Sequence, residues 1–180
     1  MTFYNPKVPI LSRSLAMPIP QVGDIAPDFE VATDNGDVVR LSDYRGKRVL
    51  LYFYPKADTP GCTTQACNIR DSYHKFQELG VVVLGASPDS VEAQAEFKRK
   101  YKLPFTLLAD EARTVANLYG LDGTHHIMYQ GVEHVITGVR RSTFVINEEG
   151  VVTVSQFGVD PANNTAEVLA LLAQDVNAEG

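Results

Sequence analysis

Apolar and polar positions along the chain follow two alternating rhythms. Short apolar or alternating runs suit strands, and longer stretches with three- and four-residue spacing suit helices. Residues 28–33 and 38–41 flank Asn35-Gly36, a dipeptide that accepts the positive φ angles of a tight turn, so a β-hairpin is expected to open the domain. Residues 48–54 read as a buried strand. From residue 63 to 79 the apolar positions Ala66, Ile69, Tyr73 and Phe76 recur at three and four residues until Gly80 interrupts them, which predicts one amphipathic helix. A β-branched run over 81–87 and helical spacing over 91–101 make a second β-α unit, and residues 105–109 with 111–119 a smaller third. Residues 121–137, rich in Gly, His and polar side chains, read as a long loop. Two strand-like segments, 142–146 and 151–156, are separated by the turn sequence Asn-Glu-Glu-Gly, and Asn163-Asn164-Thr165 offers an N-cap to a helix over 166–174. This order predicts an α/β fold whose central sheet mixes parallel and antiparallel strands, with helices on both faces.

Composition narrows the class. A chain of 180 residues with 44% hydrophobic and 21% charged residues is the size of one domain with a substantial core. A formal charge of −6, with no basic run interleaved with aromatics, argues against a nucleic-acid partner. No apolar stretch approaches the ~20 residues that span a bilayer, so a soluble protein without a membrane partner is expected. Pro6, Pro9, Pro18 and Pro20 interrupt the N-terminal stretch, which reads as an irregular arm over residues 1–21 rather than a signal peptide, with the domain itself over 22–180. Two cysteines are too few for a disulfide-stapled scaffold or a closed zinc site, and fit a redox pair. A cytoplasmic location follows as the default expectation.

Those cysteines carry the chemistry. They lie in the run Tyr54-Pro-Lys-Ala-Asp-Thr-Pro-Gly-Cys-Thr-Thr-Gln-Ala-Cys67, directly after the predicted strand. Cys62 falls at the start of a helix, where backbone N–H groups and the helix dipole favour thiolate over thiol. Thr59 can supply a hydroxyl, Pro60 and Gly61 shape a turn whose N–H groups converge on one pocket, and Pro55 closes the strand beside it. The missing positive charge is sought in Arg140 and Arg141, which open the late strand Arg-Ser-Thr-Phe. His125, His126 and His134 invite a metal reading, but adjacent histidines point in different directions and no carboxylate stands at a ligand-like spacing, so they are expected to be exposed loop residues.

At this point the sequence resembles a known family. Pro55, Thr59 and Cys62 match the Pro-x-x-x-Thr-x-x-Cys motif of the peroxiredoxins. The longer run through Cys67, followed by Arg70-Asp71, is similar to the peroxiredoxin Q or bacterioferritin comigratory protein subfamily. The likeness spans about residues 22 to 175, including Gly23-Asp24-x-Ala-Pro-Asp-Phe29 and Arg141-Ser-Thr-Phe144, and departs from the usual pattern in the N-terminal arm and over residues 121–138. It implies a thioredoxin-like fold, with Cys62 as peroxidatic cysteine and Cys67 as resolving cysteine. Thr59 would hydrogen-bond the peroxide, Arg141 would polarise it and stabilise the thiolate, and Pro55 would exclude water. The implied reaction is reduction of hydrogen peroxide and organic hydroperoxides at the expense of thioredoxin or a similar dithiol, by a monomer, without metal or organic cofactor.

Spacing adds a mechanical requirement. On one regular helix, residues five apart are separated by ~7.5 Å along the axis and ~140° around it, so their Cα atoms stand ~9 Å apart. A disulfide needs less than about 7 Å. The helix must therefore unwind locally before Cys67 can reach an oxidised Cys62, and Gly61, Thr63 and Thr64 lower that cost. A redox sensor using the same disulfide as a switch is the rival reading. A thioredoxin-like disulfide oxidoreductase is weakened, because such proteins place their cysteines two apart.

Overall fold

In a computed structural model, residues 17–178 are described, so most of the expected N-terminal arm, residues 1–16, lies outside the described residues. The chain centres on strand β3 (Arg48–Phe53), in which every residue after Arg48 is buried. A strand with no exposed face has to be covered on both sides. Val49, Leu51 and Phe53 enter one core, shared with Phe29, Leu108, Tyr119 and Phe144, whereas Leu50 and Tyr52 enter a second, shared with Cys62, Phe76, Phe97, Val145 and Leu172. The two-residue period of the strand thus feeds two hydrophobic layers.

Around β3 the other elements are β1 (Glu30–Thr33), β2 (Val38–Arg40), α1 (Pro60–Asp71), α2 (Tyr73–Glu78), β4 (Val81–Ser87), α3 (Val91–Tyr101), β5 (Thr106–Ala109) and α4 (Thr114–Leu118). They continue with β6 (Asp122–Tyr129), β7 (Val132–Val139), β8 (Ser142–Ile146), β9 (Val152–Phe157) and α5 (Asn164–Ala178). Seven strands form one sheet in the order β2-β1-β5-β4-β3-β8-β9. The inner pairs β3–β4 and β4–β5 are parallel, and the outer pairs are antiparallel. Side chains of α1, α2, α3 and α5 cover one face and those of α4 the other, so the expected mixed sheet with helices on both sides is found. The opening hairpin β1–β2 is also found, with Gly36 in the left-handed region at its turn.

Five expectations are corrected. The helix expected over 63–79 is two helices that meet at Ser72, whose φ of −103° and ψ of 7° end the first. The apolar spacing continues across this break, with Ala66, Ile69 and Phe76 all buried, so periodicity could not show it. The first helix also starts earlier, at Pro60, because proline is favoured at the first helical position, where its missing N–H costs nothing. Residues 121–137 are not a loop. They contribute β6 and β7, a two-stranded antiparallel ribbon whose turn at Gln130-Gly131 has φ of 51° and 76° at its two central residues. Nearly all of β7 is exposed, and a ribbon without a buried face has no need of the alternation that marks a strand. Finally, α4 is only a short helix, and α5 runs past residue 174 to Ala178.

Candidate active site

The end of β3 delivers the chain to a tethered loop. Ala57 N–H donates to Asp89 Oδ2 at 2.7 Å. Asp58, in the left-handed region at φ 59°, accepts from Lys100 Nζ at 2.8 Å and from the Tyr101 hydroxyl at 2.6 Å. Those two hydrogen bonds hold the Asp58 carboxyl below its ordinary value. Thr59 is extended and precedes α1, but its hydroxyl does not cap the helix and donates instead to the Lys56 carbonyl at 2.8 Å. Pro60, Gly61 and Cys62 are then the first three helical residues. The N–H groups of a helix's first turn have no intrahelical acceptor, so Gly61 and Cys62 present free donors and the positive end of the helix dipole.

Cys62 is 1% exposed, and Arg141 Nη2 donates to its sulfur at 3.3 Å. Gly61 makes that approach possible, because a Cβ at this position would stand 3.2 Å from Arg141 Nη2. The Arg141 carbonyl accepts from the N–H groups of Gly158 and Val159, which fixes the backbone at the start of β8. Arg140, its neighbour, points elsewhere and stacks on the Phe157 ring at 4.9 Å, so it is Arg141 that faces the cysteine. Beneath the sulfur lie the stacked rings of Tyr52 and Tyr54. Burial pushes both phenols well above their ordinary value, and they stay protonated. Tyr54 donates to Gln94 Oε1 at 2.6 Å.

Cys67 stands one and a half turns further along α1, half-buried, and both thiols are free. Pro55 is exposed on the wall of a cleft of about 750 Å³ that also takes in Arg141, Val159 and Pro161, with Ile127, Met128 and Ile136 of the β6–β7 ribbon. Of the five residues singled out from sequence, Cys62 and Arg141 are in direct contact, Thr59 precedes the first turn, Pro55 lines the adjoining cleft, and Cys67 is apart on the same helix. The histidines hold the ribbon together. His125 Nε2 lies 2.9 Å from the Leu121 carbonyl and 3.1 Å from that of Gly138, and His126 pairs with Glu133 at 2.9 Å. Gln65, which accepts from Arg141 Nη1 at 2.9 Å, was not anticipated. Its signal was a polar residue three positions after Cys62, on the face of the helix that also carries Ala66 and Ile69.

Comparison with known proteins gives a consistent result. A model of the AhpC/TSA family matches residues 22–155. Peroxiredoxin Bcp of Bacillus subtilis is 43% identical over 152 residues, covering 84% of this chain and 94% of its own length. The chloroplastic peroxiredoxin Q of Sedum lineare is 38% identical over 174 residues, covering 95% and 87%. Among solved structures, the bacterioferritin comigratory protein of Xanthomonas campestris superposes with a TM-score of 0.75 at 27% identity, over 87% of this chain and 98% of that one, so the fold is the thioredoxin-like fold of that protein. A family model over most of the chain and relatives this similar across it leave one conclusion: the chain belongs to the AhpC/TSA family and is a peroxiredoxin, an enzyme that reduces peroxides with a thiol.

Proposed function

We propose that the protein reduces hydrogen peroxide and organic hydroperoxides through Cys62, that Cys67 resolves the oxidised sulfur as an intramolecular disulfide, and that thioredoxin or a similar dithiol restores both thiols. The observation that carries this reading is the contact of Arg141 Nη2 with Cys62 Sγ at 3.3 Å, at the N-terminus of α1. A guanidinium and a helix terminus converge there on one buried sulfur, and both favour negative charge on it.

The Cys62 thiolate attacks the terminal oxygen of the hydroperoxide. The S–O bond forms as the O–O bond breaks, the sulfur is oxidised to sulfenic acid, and the second oxygen leaves as alkoxide or hydroxide and takes up a proton. Charge grows on that leaving oxygen, and the role of Arg141 and the N–H groups of the first turn is to stabilise it. The Thr59 hydroxyl gives its hydrogen to the Lys56 carbonyl, which leaves its oxygen free to accept the peroxide's O–H and orient it. Pro55 at the mouth keeps bulk water from the sulfur. Cys67 then attacks the Cys62 sulfur, the S–S bond forms, and the hydroxyl departs as water with the thiol's proton. An external dithiol supplies the two electrons that reopen the disulfide, so the cycle calls for neither metal nor organic cofactor. The apolar cleft beside Arg141 supports the inclusion of organic hydroperoxides, and the Xanthomonas campestris protein is described for alkyl peroxide reduction. Because both cysteines belong to one helix, a monomer suffices.

Thioredoxin-coupled peroxide consumption by wild type, Cys62→Ser and Cys67→Ser tests the reading. Sustained turnover in wild type that is abolished in Cys62→Ser supports it, and full turnover in Cys62→Ser contradicts it. A single stoichiometric oxidation without turnover identifies a sensor instead.

A further inference from the structure

Behind Arg141 lies a buried chain of amides that the reaction scheme does not use. Gln65 has no exposed surface, and Asn164, the first residue of α5, is 3% exposed. Arg141 Nη1 donates to Gln65 Oε1 at 2.9 Å, and Gln65 Nε2 donates to Asn164 Oδ1 at 3.2 Å. The same Asn164 oxygen accepts from the Thr143 hydroxyl at 2.7 Å, while Asn164 Nδ2 donates to Gln156 Oε1 at 2.9 Å. Every group has one orientation that satisfies its neighbours. Turning Asn164 over would set its NH2 against that of Gln65 and its oxygen against that of Gln156, and Gln65 is held the same way between Arg141 and Asn164.

We infer that Asn164 is a positioning residue that acts through Gln65: it aims Arg141 at Cys62 and latches the first turns of α1, so that releasing this latch sets the balance between disulfide formation and over-oxidation. The inference rests on the two-cysteine reading proposed above. Gln65 lies between Cys62 and Cys67, within the stretch that must leave the helix before the sulfurs can meet. When it leaves, both of its hydrogen bonds break. Asn164 nevertheless keeps Thr143 and Gln156, so the start of α5 and its contacts with β8 and β9 remain satisfied. The network can therefore open at one link without leaving a buried amide of the scaffold unpaired, which is what a reversible latch requires. Slow release prolongs the life of the sulfenic acid and favours a second oxidation to sulfinic acid.

Asn164→Leu removes the acceptor while keeping the branched four-atom shape of the side chain. Rapid-quench mass spectrometry after one equivalent of hydrogen peroxide reads two steps, loss of the Cys62 thiol and appearance of the disulfide, and excess peroxide reads the sulfinic fraction. The expected result is opposed. Oxidation of Cys62 slows by about threefold to tenfold because Arg141 is less well aimed, disulfide formation quickens by about the same factor, and the sulfinic fraction falls. A general loosening of the fold would not move the two steps in opposite directions. Gln65→Leu should give the same opposed pair, with the double variant adding little, and it carries the test if Asn164→Leu does not fold. Two steps that slow together, or neither moving, in a folded variant overturn the latch while leaving the proposed function intact. A wild type that forms no Cys62–Cys67 disulfide overturns both.

Discussion

Arg141 reaches the sulfur of Cys62 because the residue before that cysteine is glycine and because the guanidinium is held from behind by Gln65. The contact uses the fork of the guanidinium, one nitrogen to the amide and one to the sulfur. Lysine has a single ammonium and cannot span both. Arg141→Lys is accordingly expected to slow peroxide reduction by about 100-fold, roughly the 2–3 kcal/mol of a charge-assisted hydrogen bond, with little change in the urea midpoint. Gly61→Ala tests the same contact from the other side. Its Cβ would stand 3.2 Å from Arg141 Nη2, so the guanidinium must shift by a few tenths of an ångström, and alanine also favours the wound helix by about 1 kcal/mol. Stopped-flow traces should show both the oxidation and the disulfide-forming step slower than in wild type; unchanged traces would mean that the close approach is unimportant. At this scale the sequence was legible where chemistry is local. Cys62 after Thr-Pro-Gly announced a helix start, whereas the residues alone left Arg140 and Arg141 open; the family resemblance favoured Arg141, and the stacking of Arg140 on Phe157 gives the physical reason. The link between Gln65 and Asn164 was not legible, because the contact of two buried amides 99 residues apart leaves no local mark.

Among the elements, those that pack against a core or follow a marked turn were legible, and the largely exposed ribbon was not. β3, β4 and β8 are carried by buried apolar stretches, and α3 keeps its helical spacing, so each is found at or within a residue of the expected place. The β6–β7 ribbon stands apart from the seven-stranded sheet; Val139 at its end enters a core, but Ile127, Met128 and Ile136 line the cleft. In its register His125 faces Ile136 and Ile127 faces His134, so Ile127 and Ile136 share one face of the ribbon. If that face takes the organic part of a hydroperoxide, Ile127→Ser and Ile136→Ser should raise KM for cumene hydroperoxide by about threefold to tenfold, as loss of partly buried apolar area implies, and leave hydrogen peroxide unaffected. Equal changes for both substrates would remove the ribbon from substrate recognition. A second element-level prediction concerns α4, whose Val115 and Ala116 N–H groups donate to the two oxygens of Asp110. Burial raises the Asp110 carboxyl above its ordinary value, although the backbone hydrogen bonds pull the other way. The folded state therefore binds this proton more tightly than the unfolded chain. Its contribution to stability is present in acid and is lost as pH rises from the unfolded value through the folded one. Urea titrations across that acid window should show a flatter pH dependence for Asp110→Asn than for wild type, and identical slopes would contradict the assignment.

Over the whole molecule, two hydrophobic layers share one sheet, and the layer beneath α1 contains Cys62 itself together with Tyr52, Tyr54 and Phe97. In the proposed cycle the sulfur that reacts is thus part of the core that has to open for the disulfide to form. The loop before α1 and the helix itself are tied down, by Asp58 to Lys100 and Tyr101, and by Arg70 to the Tyr101 carbonyl at 2.7 Å, which suits the local unfolding that the proposed cycle requires. Opening is then confined to the turns between these anchors. No helix among the described residues is long and apolar enough to cross a membrane. The global α/β class, with its mixed sheet, followed from the order of strands and helices. The break at Ser72 did not, because apolar spacing runs through it unchanged.

If Cys62 is oxidised first and Cys67 resolves it within the same chain, the two steps separate when Cys67 is removed. Mass spectrometry of wild type and Cys67→Ser, each treated with one equivalent of hydrogen peroxide and then trapped for free thiols and sulfenic acid, reads both steps. Wild type is expected to lose both thiols to a single intramolecular disulfide, while Cys67→Ser accumulates sulfenic acid on Cys62. Persistence of both thiols in wild type, or sulfenic acid on Cys67 in place of Cys62, would contradict that scheme.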